Sequence, residues 1–147
     1  MLFRSEVETR GLRAAPGAAG LLRQLSEAQR AIVTSGSRVV ATLRLRTAGL
    51  PIPGVFVTAG DVARGKPDPE PYLLGASRLG VAPADCVVVE DSPPGVGAGK
   101  AAGMRVIAVL TTYPAAALSG ADARLGALAD LRVRSAAPAS TGLTLDF

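Results

Sequence analysis

The segment Cys86-Val87-Val88-Val89-Glu90-Asp91-Ser92 decides the fold class, because an apolar run without polar/apolar alternation ends directly in two carboxylates and a serine. Three further short apolar runs share this lack of alternation: 31–34, 55–58 and 106–109. Strands that are apolar on both faces are typical of parallel sheets covered by helices. The intervening segments favour helices over 17–29, 38–48, 69–80 and 94–103. Together they predict an α/β fold with a parallel sheet.

The composition of the 147 residues limits the class of protein. Apolar residues make up 48% and charged residues 19% of the chain, and the mean hydropathy is +0.33, which excludes wholesale disorder. The most apolar stretch, 101–118, is interrupted by polar residues and a proline, so we predict no membrane span. The N-terminus reaches Glu6 too early to hold the apolar core of a secretory signal. We predict a cytoplasmic protein that does not bind membranes.

The chemistry open to the chain is limited by its rare residues and by its charge. One cysteine and no histidine exclude an internal disulfide and a cysteine- or histidine-based metal site. The net charge is +4, but the 14 arginines and 2 lysines are scattered, and none of the five aromatic residues lies within a basic cluster. A surface that stacks and binds nucleic acid needs both features together. We therefore predict that nucleic acid is not a partner.

Polar residues follow two of the predicted strands. In a parallel sheet, ligands bind beyond the carboxyl ends of the strands. The first run ends in Thr34-Ser35-Gly36-Ser37, which leads into a helix, where hydroxyls and backbone N–H groups make an anion cradle. The alternative is ordinary capping of that helix by Ser35 or Ser37.

The adjacent carboxylates Glu90 and Asp91 follow the third run. Two acids at the end of a buried strand are costly unless something positive lies opposite them, and Mg²⁺ is a natural partner for carboxylate oxygens. The alternative is that Asp91 or Ser92 caps the helix that follows, but capping leaves Glu90 unexplained.

Lys66 lies in the segment Gly65-Lys66-Pro67-Asp68-Pro69-Glu70-Pro71, where three prolines restrict the backbone. A lysine held near carboxylates and a phosphate cradle would neutralise phosphoryl charge. Taken alone, a Lys-Pro pair is more often part of a solvated loop. The three signals together are much stronger than any one of them alone.

These segments resemble motifs two, three and four of the haloacid dehalogenase-like hydrolases, in particular the β-phosphoglucomutase and sugar-phosphatase branch. The resemblance runs from about residue 16 to residue 131 and includes Gly95 and the segment 101–104. It implies a three-layer, Rossmann-like core and a small phosphorylated metabolite, such as a sugar phosphate, as substrate.

The resemblance also implies a role for each motif residue. Ser35, with Thr34 as the adjacent candidate, would bind the phosphoryl group together with the Gly36 N–H. Lys66 would stabilise the nucleophile and the transferred phosphoryl group. Asp91 would be a direct Mg²⁺ ligand, and Glu90 would bind the same ion directly or through water.

The first motif of the family, Asp-x-Asp-Gly-Thr, supplies the nucleophile and the acid/base, and it does not occur in this chain. The helical cap that follows that motif in this branch is also missing. We therefore expect 1–12 to be a remnant of the cap helix and its linker, 13–134 a partial core with 131–133 as the candidate for its last edge strand, and 135–147 a loose tail. The chain would be the C-terminal part of a phosphatase or phosphomutase, inactive alone, with its nucleophile elsewhere. The alternative is a non-catalytic remnant that binds Mg²⁺ or phosphate, or serves as a scaffold.

The missing motif has a consequence for folding. In the family, its strand lies in the middle of the sheet, between the strands that match 31–34 and 87–89. We therefore expect a sheet without its first, central strand, and self-association through the two unpaired edges.

Overall fold

The computed structural model describes residues 2–3, 13–135 and 143–146. The strands are β1 (Leu2–Phe3), β2 (Ala31–Val33), β3 (Val55–Val57), β4 (Val87–Glu90), β5 (Arg105–Val109), β6 (Ala123–Leu125), β7 (Arg132–Ser135) and β8 (Leu143–Asp146). The helices of two or more turns are α1 (Ala18–Gln24), α2 (Arg38–Thr47), α3 (Glu70–Leu79) and α4 (Pro93–Ala101). Among the described residues, no helix is both long enough and apolar enough to cross a membrane.

Six of the strands form one parallel sheet in the order β3-β2-β1-β4-β5-β6. All four strands predicted from the apolar runs lie in this sheet, and a helix follows or precedes each of them. The prediction of an α/β fold with a parallel sheet is confirmed. The first predicted helix is shorter than expected, because α1 ends at Gln24 and a separate 3₁₀ turn covers Glu27–Gln29.

The central position of the sheet holds a strand, which corrects one expectation. Leu2 pairs with Ala31 and Val88, and Phe3 pairs with Ile32 and Val89. The backbone groups of two buried strands need partners, and a two-residue extended segment supplies them over this length. Of the predicted cap remnant 1–12, the other residues lie outside the described part of the chain. Self-association through these edges stays a prediction.

The side chains of the sheet alternate between two apolar clusters, one on each face. Val88, Val106 and Ala108 pack on the face that carries α3 and α4. Val89 and Ile107 point to the opposite face, where they pack with residues of α1 and α2. This alternation explains why the strands read as continuous apolar runs, since both faces of each strand are covered. The three-layer architecture is therefore as expected.

The caps of two helices decide between alternatives that the sequence left open. Ser37 caps α2, because its Oγ accepts a hydrogen bond from the Val40 N–H at 3.4 Å. Ser92 caps α4, with its Oγ 3.3 Å from the Gly95 nitrogen. Capping of these two helices therefore does not account for Ser35 or Asp91.

The C-terminal part differs from its prediction. Residues 131–133 are predicted to form an edge strand of the main sheet, but β7 pairs antiparallel with β8 in a separate two-stranded sheet. The edge position is held instead by β6. The expected loose tail 135–147 is wrong for Ser135, which ends β7, and for 143–146, which form β8, and the remaining residues of that segment lie outside the described part of the chain. The reason is that Val133 and Leu145 both pack against the apolar cluster on the α1 face.

Candidate active site

The predicted site residues lie at the carboxyl edge of the parallel sheet. Thr34 and Ser35 follow β2, Asp91 follows β4, and Lys66 lies in the loop between β3 and α3. Thr34, Ser35 and Lys66 line one cavity of about 130 Å³. The rest of its lining is apolar or glycine: Ala59, Val62, Ala63, Gly65 and Pro71.

The turn after β2 is held by its own backbone and by one hydroxyl. The Gly36 N–H donates to Thr34 Oγ1 at 3.1 Å, and the Gly36 carbonyl accepts from the Ala59 N–H at 3.1 Å. Thr34 is half-buried and Ser35 is exposed. In this arrangement the Thr34 hydroxyl orders the turn, which leaves Ser35 as the more accessible hydroxyl at the cavity.

Lys66 is not a solvated loop residue, because its side chain is only 3% exposed. Its Nζ lies 2.5 Å from Glu90 Oε1 and donates to the Val33 carbonyl at 3.3 Å. The same ammonium lies 4.8 Å from the centre of the Tyr72 ring, within the range of a cation–π interaction. The ammonium group is therefore fixed at the end of β2, beside the cavity.

Both oxygens of the Glu90 carboxylate accept hydrogen bonds from the protein. Oε1 accepts from Lys66 and from the Tyr72 hydroxyl, the latter at 2.7 Å. Oε2 accepts from the N–H groups of Asp91 and Ser92, at 3.0 and 3.2 Å, and from Ser92 Oγ at 3.0 Å. The Glu90 side chain has no solvent exposure. The carboxylate is thus the centre of a network, which we call the Glu90 network: Lys66, Tyr72, Glu90 and Ser92.

The Glu90 carboxyl stays ionised although it is buried. Burial acts to raise its pKa, but the charge and hydrogen bond of Lys66 and the hydrogen bonds from Tyr72 and Ser92 outweigh burial, so the pKa lies below its ordinary value. The two charges therefore compensate each other inside the protein. The sequence predicts a positive group opposite the acid at the end of this buried strand, and Lys66 is that group.

Gly95 makes room for the Glu90 carboxylate. A Cβ atom at position 95 would lie 2.0 Å from Glu90 Cδ and 2.2 Å from each carboxylate oxygen. No side chain fits at that distance, so the first turn of α4 can approach the carboxylate only with glycine. The glycine that the resemblance singled out has a steric reason in this structure.

Asp91 is 7% exposed, and its Oδ2 accepts a hydrogen bond from Thr112 Oγ1 at 3.1 Å. Thr112 follows β5 at the same edge of the sheet. Ligands bind beyond the carboxyl ends of parallel strands, and this rule applies to β5 as it does to β2 and β4. The sequence therefore held a signal for Thr112 as a site residue. Tyr72 was also missed, and no local sequence signal marks it.

The residues present fit Mg²⁺ in part. Within residues 13–135, no three acidic, histidine or cysteine side chains converge. Mg²⁺ usually keeps several waters and takes only one or two protein carboxylates, so such a cluster is not required. Asp91 has the right chemistry for one ligand. Glu90 has its oxygens engaged by protein donors, and binding a metal directly would require exchanging at least one of them.

A second carboxylate network supports the wall of the cavity. Asp61 accepts hydrogen bonds from the hydroxyl and the N–H of Thr58, at 2.6 and 2.8 Å. Arg38 and Arg78 donate to the same carboxylate at 2.8 and 3.1 Å, and both also donate to the Phe56 carbonyl. This Asp61 network fixes the 3₁₀ turn Ala59–Asp61, which contributes Ala59 to the cavity.

Comparison with known proteins gives consistent matches. The sequence profile of the haloacid dehalogenase-like hydrolases matches residues 3–103. Hexitol phosphatase A of Escherichia coli is 53% identical over 128 residues, covering 86% of this chain and 59% of that protein. β-Phosphoglucomutase of Bacillus subtilis is 36% identical over 117 residues, covering 79% of this chain and 50% of the other. The chain thus spans about half the length of these relatives.

Solved structures agree with the sequence matches. The crystal structure of a hydrolase of this family from Deinococcus radiodurans, with bound phosphate and sodium, superposes with a TM-score of 0.68 at 39% identity. The superposition covers 80% of this chain and 56% of that one.

Proposed function

Because the chain belongs to the haloacid dehalogenase-like hydrolases, in their sugar-phosphatase branch, we propose that it is the C-terminal part of a Mg²⁺-dependent phosphohydrolase. Its substrate would be a small phosphorylated metabolite such as a sugar phosphate. The observation that carries this proposal is the gathering of Ser35 and Lys66 at one cavity, with Asp91 directly after the buried partner of Lys66. Both phosphatases and phosphomutases are among the relatives, and the proposal covers both reaction types.

Ser35 and Lys66 would bind the phosphoryl group. Ser35 offers an exposed hydroxyl, with Thr34 beside it and the Gly36 N–H in the same turn. Lys66 supplies a positive charge whose position is set by three neighbouring groups. Phosphoryl transfer depends mainly on positioning and charge neutralisation. A hydroxyl cradle would position the phosphoryl group, and a fixed ammonium would neutralise its charge.

Asp91 would be the direct Mg²⁺ ligand, and the bound ion would neutralise charge on the phosphoryl oxygens. Glu90 also belongs to this proposal, as a ligand through water or after exchange of a donor. In the arrangement described above its carboxylate instead orients Lys66 and the backbone at Asp91.

The nucleophile would come from outside these 147 residues. In the family an aspartate attacks the phosphorus, and the substrate oxygen leaves and takes a proton; water then hydrolyses the aspartyl-phosphate in a phosphatase, whereas a substrate hydroxyl accepts the phosphoryl group and loses its proton in a phosphomutase. The chain contains no Asp-x-Asp-Gly-Thr segment that could supply this aspartate. The second candidate, a non-catalytic Mg²⁺- or phosphate-binding or scaffolding protein, is favoured by the same observation.

The coding DNA upstream of Met1 separates the two candidates. An in-frame Asp-x-Asp-Gly-Thr segment followed by a helical cap supports the phosphohydrolase, whereas a stop codon or unrelated sequence supports the non-catalytic protein. On the purified chain, we expect no hydrolysis of phosphate esters above background with Mg²⁺. Turnover that is lost in Asp91→Ala would contradict the external nucleophile.

A further inference from the structure

Tyr72 places a polar group inside an apolar core. The side chain lies in the first turn of α3, is 1% exposed, and packs in the cluster that also contains Val57, Ala76 and Val88. Burying a hydroxyl is costly unless it forms a hydrogen bond, and a phenylalanine would fill nearly the same volume without this cost. The Tyr72 hydroxyl donates to Glu90 Oε1 at 2.7 Å.

Tyr72 acts on Lys66 by two routes. Its ring faces the ammonium, with the Nζ atom 4.8 Å from the ring centre. Its hydroxyl binds the same carboxylate oxygen that lies 2.5 Å from Nζ. Since Glu90 Oε1 accepts from both residues, the hydroxyl restricts the rotation of the carboxylate that holds the lysine. Two of the groups around the ammonium are thus set by one side chain.

A lysine side chain has a flexible four-carbon stem, so its charge must be held in place from outside. Small displacements of a group that binds the reacting phosphoryl have large effects on rate. We propose that Tyr72 is a positioning residue that fixes the Lys66 ammonium at the phosphoryl-binding cavity through its ring and through Glu90. The role assigned to Lys66 rests on the proposed function, whereas its fixation by Tyr72 does not.

The composition of the chain offers a direct test. Lys66 and Lys100 are its only lysines, and Tyr72 and Tyr113 its only tyrosines. Lys100 lies on the surface, about two-fifths exposed, and therefore serves as an internal standard. Brief acetylation with an activated ester, followed by mass spectrometry of the peptides, gives the ratio of modified Lys66 to modified Lys100 for each variant of the full chain.

We expect a low ratio in the parent chain and a several-fold rise in Tyr72→Phe, which keeps the ring but removes the hydroxyl. Tyr72→Leu removes both routes and should raise the ratio further. The matched control Tyr113→Phe should leave the ratio unchanged, because Tyr113 is a surface residue. Thermal unfolding of each variant shows that it is folded at the labelling temperature.

A folded Tyr72→Phe with the parent ratio, or with a lower melting temperature only, would overturn the proposal and make Tyr72 a packing residue. If Tyr72→Leu does not fold, Tyr72→Phe alone decides. A second arm adds inorganic phosphate and Mg²⁺ to the parent chain. Protection of Lys66 by phosphate supports its proposed phosphoryl-binding role, and no protection counts against that role while leaving the Tyr72 result intact.

Discussion

Two carboxylates at the carboxyl edge of the sheet are held by several hydrogen-bond donors each, but in different surroundings. Asp61, in the turn after β3, accepts hydrogen bonds from Thr58, Arg38 and Arg78. Glu90, at the end of β4, accepts from lysine, tyrosine, serine and backbone donors. Both carboxylates are ionised and both have several donors. Their side chains differ in exposure, which is 17% for Asp61 and 0% for Glu90.

The difference in exposure changes how much free energy of folding is lost when a donor to each carboxylate is removed. When a donor is lost near the surface, water replaces it, and the charge stays solvated. When the charged partner of a buried group is lost, the remaining charge is left uncompensated at a cost of several kcal/mol. Loss of either charge of the Lys66–Glu90 pair should therefore destabilise the protein far more than a single change in the Asp61 network. The four predictions below test this contrast, beginning with the largest effect.

Gly95→Ala should have the largest effect. The added Cβ overlaps the Glu90 carboxylate, so either α4 or the carboxylate must move, and the hydrogen bonds of Glu90 are then lost together. We expect destabilisation of about 4 kcal/mol or more, or no folding at all. Urea unfolding followed by circular dichroism measures this loss.

Gly97→Ala is the matched control in the same helix. A Cβ at position 97 meets only Pro67 Cβ, at an ordinary contact distance of 3.8 Å. This substitution should leave stability unchanged or raise it by up to about 1 kcal/mol, because alanine favours helices over glycine. Equal losses in the two variants would show that the fit around Glu90 is not the reason for Gly95.

Glu90→Gln should be the next largest change. The variant keeps the shape of the side chain but removes the negative charge that compensates Lys66. Its amide NH₂ group also faces hydrogen-bond donors at a position where a carboxylate oxygen accepted hydrogen bonds. We expect a loss of about 3–5 kcal/mol in the free energy of unfolding, as for other buried pairs that lose one partner. A loss no larger than that of Asp61→Asn would contradict the contrast between the two networks.

These networks also show how far the sequence predicts the molecule. The strands and the edge at which the site residues meet follow from apolar runs and from parallel topology, which depend on short-range patterns. The contact between Tyr72 and Glu90 spans 18 residues and depends on the packing of α3 against the sheet, and no local pattern encodes it. The sequence marked Lys66 and Glu90 separately as candidate site residues, but it did not predict that they form an ion pair with each other.

The errors in the fold have a similar origin. The two-residue β1 is too short to give a periodic signal, and β6 contains no β-branched residue. The residues of β7 do read as a strand, but a strand pattern does not say which sheet the strand will join. Burial of Val133 and Leu145 on the α1 face decides that, and it is a property of the assembled core.

Asp61→Asn should cost about 1–2 kcal/mol at neutral pH. The hydrogen bonds from the Thr58 hydroxyl and N–H, with smaller effects of Arg78 and Arg38, hold the pKa of Asp61 well below its ordinary value of 3.8. The stabilisation by the ionised form is therefore fully present above about pH 4 and is lost as the pH falls through the lower, folded-state pKa. The gap between the parent and the variant should narrow as the pH is lowered.

Urea unfolding at neutral pH and at pH 3 measures this gap. Asp85→Asn makes the same change of charge at an exposed site and should show little loss at either pH. A gap for Asp61→Asn that is constant or widens on acidification would contradict the sign of the pKa shift.

Thr112→Val should have the smallest effect, and it extends the contrast to a carboxylate of intermediate burial. Thr112 is exposed and donates one hydrogen bond to Asp91 Oδ2 at 3.1 Å, so its loss should barely change stability. If Asp91 binds Mg²⁺, however, this hydrogen bond orients a metal ligand, and the affinity for Mg²⁺ should fall by up to about tenfold, or about 1.4 kcal/mol.

Calorimetric titration of the chain with Mg²⁺ measures the affinity, and Thr111→Val, one residue earlier on the same exposed loop, is the control. Equal affinities for Mg²⁺ in the two variants would show that Thr112 does not orient Asp91. A lower affinity in Thr112→Val alone would show that an exposed hydrogen-bond partner matters when the carboxylate it contacts also binds a metal ion.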